Sequence, residues 1–192
     1  MASNKGPGQP KDTAGLAGLE AMLQGQSGDK LPPVERWNPP YCGDIGMKIA
    51  RDGTWFYQGS PIGRKPLVKL FSRVLRRDED GKHYLVTPVE KVDVAVDDAP
   101  FLAVEMEVSG QGQQQVLTFR TNLDDVVRCG MDHPMRFAVE PAGGGLKPYL
   151  LVRGRLEALV TRAVYYDLVE LAVSESERLG LWSAGQFFAM PG

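Results

Sequence analysis

The sequence predicts an α+β protein built from a duplicated strand–strand–helix–strand–strand motif with mostly antiparallel sheets. Three observations predict it. Short segments that alternate apolar and polar residues recur between glycine turns from residue 45 to residue 190. Two amphipathic segments of helical period interrupt them, one after Pro66 and one after Thr161. One constant shift superposes turn and helix positions of the two copies.

Residues 1–13 are rich in Gly, Pro, Gln, Lys and Asn and cannot bury enough surface to offset ordering entropy, so they read as disordered. Residues 14–24 place Leu16, Leu19 and Leu23 at helical spacing. Gly15 and Gly18 weaken that helix in isolation, so it must dock on something. This tail and helix, 1–33, precede an N-terminal α+β half, 34–97, and a C-terminal α+β half, 98–192.

In the first half, Ile45, Met47 and Ile49 alternate as a strand, Asp52-Gly53 turns, and Thr54–Tyr57 returns. Pro66 suits a first helical position, and Leu67, Leu70, Phe71 and Val74 form the apolar stripe of a helix predicted to run to Arg77. Arg73, Arg76 and Arg77 are expected to face water and complement the helix dipole. Strands follow at 83–87 and 92–96.

In the second half, Leu102, Val104, Met106 and Val108 alternate, and 116–120 pairs back across a flexible loop. Asn122 is predicted to cap a short helix with Asp124 and Asp125 in its first turn, ended by Gly130. Residues 135–139 form a strand, and 149–152 with 155–159 a hairpin about Arg153-Gly154. Thr161 caps a last helix predicted to reach Arg178, with Val164, Leu168, Leu171 and Ala172 inward; Gly180 suits its end. Trp182–Met190 reads as a closing hairpin. A shift of 101 residues sets Gly53 on Gly154, Leu67-Val68 on Leu168-Val169 and Leu70 on Leu171, pairing 45–94 with 149–190. A duplication places a cleft between similar halves, where ligands tend to bind.

Composition narrows the function. The chain has 192 residues, 43% hydrophobic and 24% charged, with net charge −2. Nucleic-acid binders draw affinity from a basic excess that is lacking here, so no nucleic-acid partner is expected. No apolar run approaches the ~20 residues that span a bilayer, and Met1–Pro10 lacks the apolar core of a secretory signal. No membrane partner is expected. Cys42 and Cys129 lie far apart and outside any CxxC pattern, which fits a reducing, cytoplasmic setting.

The catalytic inventory is thin. Cys129, Asp132 and His133 are three loose ligands with no fourth, a poor zinc site; no metal and no cofactor are expected. There is no GxGxxG and no GxxxxGK[ST] loop. The sharpest feature is Pro61-Ile62-Gly63-Arg64-Lys65-Pro66, which sets two cations at a helix start already rich in free N–H groups and positive dipole. An anion such as a phosphate would turn that local repulsion into a site. The alternative is that both side chains extend into water or pair with Asp97 and Asp98. Thr87 and Glu90 sit at a strand break, and Arg120 and Asn122 between a strand and the expected helix. Capping alone is the other reading of Asn122, and an exposed loop charge that of Glu90. The aromatics Trp55, Phe56, Tyr57, Tyr165 and Tyr166 read as core.

Several runs occur in order: PPYCGDIGMKIARDGTWFYQGSPIGRKPLVKLF, YLVTPVEKV, DDAPF, FRTN and PYLLVRG. From about residue 34 to the end they resemble the bacterial family DUF1285. Gly46 departs from it where an acidic residue is expected, which removes any charged contact from that position. The resemblance implies a duplicated α+β core whose C-terminal half is superficially pleckstrin-homology-like. It implies a ligand site at the interface of the halves for a nucleotide-like molecule, and a role in signal transduction under oxidative stress. It brings no catalytic residues.

The expectation is a non-enzymatic binding protein that holds an anionic, nucleotide-like small molecule between its halves. Arg64 and Lys65 would meet the phosphate, with Thr87, Glu90, Arg120, Asn122 and Arg153 around it. The alternatives are a protein-interaction scaffold or homodimer that uses Leu16, Leu19 and Leu23, and an enzyme that uses Cys42 or Cys129.

Overall fold

The computed structural model describes residues 12–24, 28 and 30–191. Most of the tail read as disordered, 1–11, lies outside the described residues, as does much of the linker expected at 25–33. The described residues are mostly β, with three α-helices among them: α1 (Asp12–Gln24), α2 (Lys65–Arg73) and α3 (Arg162–Glu170). No helix among the described residues is long and apolar enough to cross a membrane.

The first sheet comprises β1 (Tyr41–Ile49), β2 (Trp55–Tyr57), β3 (Ser60–Pro61), β4 (Leu75–Arg77), β5 (His83–Val86) and β6 (Lys91–Val96). Its order is β3-β2-β1-β6-β5-β4. The second comprises β7 (Phe101–Ser109), β8 (Val116–Thr121), β9 (Val126–Arg128), β10 (Met135–Val139), β11 (Leu146–Arg153) and β12 (Leu156–Val160), in the order β10-β11-β12-β7-β8-β9. Read from its other edge, the second order is the first with every strand number raised by six. In each sheet two three-stranded antiparallel meanders meet at one parallel pair, β1 with β6 and β12 with β7. The hydrogen bonding therefore repeats 41–96 as 101–160. The pair 45–94 and 149–190 drawn from the sequence shares its order of hairpin, helix and strands. Its last strands, β13 (Val173–Glu175), β14 (Arg178–Ser183) and β15 (Gln186–Ala189), form a separate three-stranded sheet.

Three helix boundaries differ from expectation. The helix predicted to reach Arg77 ends at Arg73, because Leu75, Arg76 and Arg77 pair with Leu85, Tyr84 and His83. Arg76 does not face water. It is buried, and its guanidinium donates to the carbonyls of Val34 and Trp37 and to Asp78. The short helix predicted after Asn122 is a turn followed by β9, with Asp124 at φ 69°. Thr121 accepts the Leu123 and Asp125 amides, which bends the chain before a helix can start. The last helix stops at Glu170, and Val173–Glu175 pairs with Arg178–Gly180. Ser176 and Glu177 both hold positive φ, the conformation of a tight hairpin turn.

The core runs through both sheets, with Trp55, Phe71, Phe101 and Phe119 fully buried. Trp55 stacks on Phe71 at 6.4 Å between ring centroids and fastens α2 to the first sheet. Truncating a buried Phe costs about 3–5 kcal/mol. The weak helix α1 docks on α2, where Leu19 and Leu23 join the same core. The leucines that offered a surface to a partner are thus taken up within the chain. Gly53, at φ 82°, turns β1 into β2 where an added Cβ would stand 2.7 Å from the Asn122 amide nitrogen, so the first half's hairpin tip touches the second half.

Candidate functional site

Residues 97–100 connect β6 to β7 and cross from one half to the other. Beside this link lies a hollow of about 100 Å³ lined by residues of both halves. Arg77 comes from the end of β4 and His83 from the start of β5. Arg136 stands on β10, Tyr149 on β11, Arg155 and Glu157 at the turn into β12, and Asp98 on the link. Three guanidinium groups therefore face one small space.

Their counter-charges are unevenly shared. Arg136 binds Glu157 through both arms, at 2.6 and 2.7 Å, and lies 4.2 Å over the Tyr149 ring. Arg77 stands 3.9 Å from the same carboxylate. Arg155 reaches Glu79 at 3.0 Å, a partner 88% exposed, and a pair so open to water contributes little. Asp98 is held by Lys147 at 2.8 Å and the Tyr149 hydroxyl at 2.6 Å. Burial pushes the Asp98 carboxyl upward, but these two hydrogen bonds win and set it below the usual carboxylate range. With Glu157 committed to Arg136 and Asp98 to Lys147, the hollow keeps a surplus of positive charge at Arg77 and Arg155. Burial, helped by the Arg77 charge, lowers His83 from 6.5 to about 4, so its imidazole is neutral at pH 7.

The residues singled out from sequence lie elsewhere. Arg64 grips Glu20 of α1 with both arms, at 3.0 and 3.1 Å. Lys65 pairs with Asp124 at 3.1 Å, and Lys69 converges on the same carboxylate. Those two ammonium groups, Lys69 foremost, hold Asp124 far below the usual carboxylate range. Asp97 and Asp98, named as alternative partners for Arg64 and Lys65, pair instead with Lys48 and Lys147. Arg120 bridges Glu105 and Asp124. Asn122 accepts the Leu102 amide at 3.0 Å and returns its own amide to the Leu102 carbonyl at 2.8 Å. Arg153 binds Asp125 and the Ser72 carbonyl and covers the Phe101 ring. Thr87 is buried and its hydroxyl accepts the Val89 and Glu90 amides, closing the β5–β6 turn. Lys65 and Arg153 thus fasten the two halves together, Asn122 holds the start of β7 within the second half, and none of the seven lines the arginine hollow.

Sequence reasoning missed Arg77, His83, Arg136, Tyr149 and Arg155. Arg77 was placed on a helix that ends four residues earlier, and His83 was read as a strand residue. The one usable signal is Arg155, which flanks the turn glycine Gly154. Cys129 is buried, and burial pushes its thiol up to about 12, against use as a nucleophile. Among the described residues no group of His, Cys, Asp and Glu is arranged to hold a metal.

Two six-stranded sheets of one strand order, joined by a short link and meeting at a basic hollow, define a class of two-domain α+β protein. Residues 32–99 match the family described as domain of unknown function (DUF1285), N-terminal domain, and residues 100–190 match the DUF1285 C-terminal domain. The chain belongs to the DUF1285 family. It is similar to the crystal structure of a DUF1285 family protein from Silicibacter pomeroyi DSS-3, with 52% identity over 90% of this chain and 93% of that one, at TM-score 0.84. A DUF1285 family protein from Shewanella baltica OS155 matches at 29% identity over 66% of this chain and 91% of that one, with TM-score 0.51. No curated protein matches.

Proposed function

We propose that this chain is a non-enzymatic binding protein that takes the anionic group of a nucleotide-like small molecule in the hollow between its halves, in the service of signal transduction. The convergence of Arg77, Arg136 and Arg155 on one inter-half space carries this reading. Arginine forks match phosphate and carboxylate oxygens, and a partly desolvated site strengthens each such bond. The volume of about 100 Å³ suits an anionic group alone, so the body of the ligand extends beyond the hollow. His83 faces the bound anion, which stabilises imidazolium, so its contribution to binding grows as pH falls toward 4. The signalling role rests on the family likeness. A six-stranded sheet followed by α3 supports the superficial pleckstrin-homology-like reading of the C-terminal half.

The test is thermal unfolding with inorganic phosphate, pyrophosphate and nucleoside mono- and diphosphates. A ligand at 100 times its Kd adds about 2.7 kcal/mol, which raises the melting temperature of a chain this size by about 5–10 °C. Arg155→Ala is expected to remove that shift, and Arg64→Ala with Lys65→Ala to leave it. If no probe shifts the transition, the proposal falls.

A further inference from the structure

A wider hollow adjoins the arginine site at His83 and lies on the face of the first sheet turned away from the core. Its volume is about 860 Å³, within the range of small-molecule clefts. Trp55 turns inward to stack on Phe71, so Phe56 turns outward into this space. The register arranges the lining in two rows. Lys48 stands opposite both Ala95 and Phe56, and Asp44 stands opposite Asp93. Asp93 and Ala95 are two residues apart on β6, so the rows lie about 6.6 Å apart. Lys82 lines the same hollow from the β4–β5 turn.

The charges of these rows are incompletely paired. Asp93 accepts the Tyr41 hydroxyl at 2.5 Å, and Asp44 accepts the Gly46 amide at 2.7 Å. Among the described residues neither acid forms an ion pair, and the Lys82 ammonium forms none either, acting on Asp80 only through its charge at longer range. Lys48 is held by Asp97 at 3.1 Å. Two like charges directly opposite on adjacent strands destabilise a sheet unless a cation joins them.

We infer that this hollow is a second binding site, next to the arginine hollow and built from different charged groups, for a small zwitterion. Its amine lies against Asp44 and Asp93, its acid group against Lys82, and its apolar body on Phe56 across Ala95. The small, exposed side chain at Ala95 leaves the space that the body fills. A molecule carrying one charge meets either the acid pair or Lys82 and covers the other without a partner, so both charges are required.

The experiment is a chemical-shift titration of the full chain with 6-aminohexanoate, whose two charges are separated by a short chain, beside hexylamine and hexanoate. Amides of 44–48, 81–83 and 93–96 are expected to move with 6-aminohexanoate. Each single-charge relative is expected to bind about tenfold more weakly, the value of one charge-assisted hydrogen bond. Asp93→Asn and Lys82→Met should each weaken the zwitterion comparably, and Lys82→Met breaks no ion pair of the fold. Arg155→Ala should change nothing here, which separates this site from the arginine hollow. Equal binding of hexylamine or hexanoate, unaltered binding in both variants, or still amides throughout the titration would each overturn the inference.

Discussion

Arg153 donates to the Ser72 carbonyl at 2.9 Å, across 81 residues of sequence, and so ties β11 of the second half to the last turn of α2 in the first. The same guanidinium binds Asp125 at 3.0 Å and covers the Phe101 ring at 4.8 Å. One side chain thus joins a helix, a turn and the first strand of the second sheet.

Arg153→Ala leaves the Ser72 carbonyl and the Asp125 carboxylate without that partner. Its side chain is 18% exposed, so water replaces the bonds poorly. A loss of about 2–3 kcal/mol in urea unfolding is expected. Arg153→Lys does not restore it, because one ammonium cannot fork to two acceptors while lying flat on a ring. Arg64→Ala breaks a pair with a side chain 67% exposed, and should cost under about 1 kcal/mol.

Gly53→Ala forces a side chain into φ 82° and against Asn122. The strain alone costs about 1–3 kcal/mol. The collision disturbs the bond from Asn122 to Leu102 as well. Gly63→Ala, with open space around it, should leave the unfolding midpoint within error.

Leu23→Ala tests the docking of α1. Leu23 is fully buried among core residues. A cost of about 2–4 kcal/mol is expected in denaturant unfolding. A neutral result would show that α1 contributes nothing to the fold's stability.

His83 gives stability a pH dependence of defined sign. Its folded value of about 4 lies below the ordinary 6.5, so the unfolded chain binds the extra proton between those limits. The contribution of a neutral His83 is complete above pH 6.5 and is lost as pH falls toward 4. His83→Asn should flatten the stability profile in that window. The slope at lower pH should persist, because Asp78, Asp98 and Asp124 keep lowered folded values and lose their contribution as pH falls through them.

The strands were legible because alternation is a local property: Met47 and Ile49, or Val92 and Val94, declare their buried face within a few residues. Residues 75–77 were misread because Leu75-Arg76-Arg77 extends a helical pattern equally well, and pairing with β5 decides between the two. Asn122 was legible as a special residue, but its side chain accepts the amide of Leu102, twenty residues back, and not one of its own turn. The basic residues named for an anion divided by the same logic. Arg64 faces Glu20 and Lys65 faces Asp124, partners that no spacing rule connects to them.

The sequence by itself determined the alternating strands, the turn glycines, the apolar stripes of α2 and α3 and the family, because each depends on neighbours within a few positions or on motifs in order. The tertiary structure decided where the repeat falls, which cations are neutralised and which three arginines share a hollow. Strand order and charge pairing join residues far apart in the chain, and their energies exist only once the two sheets have met.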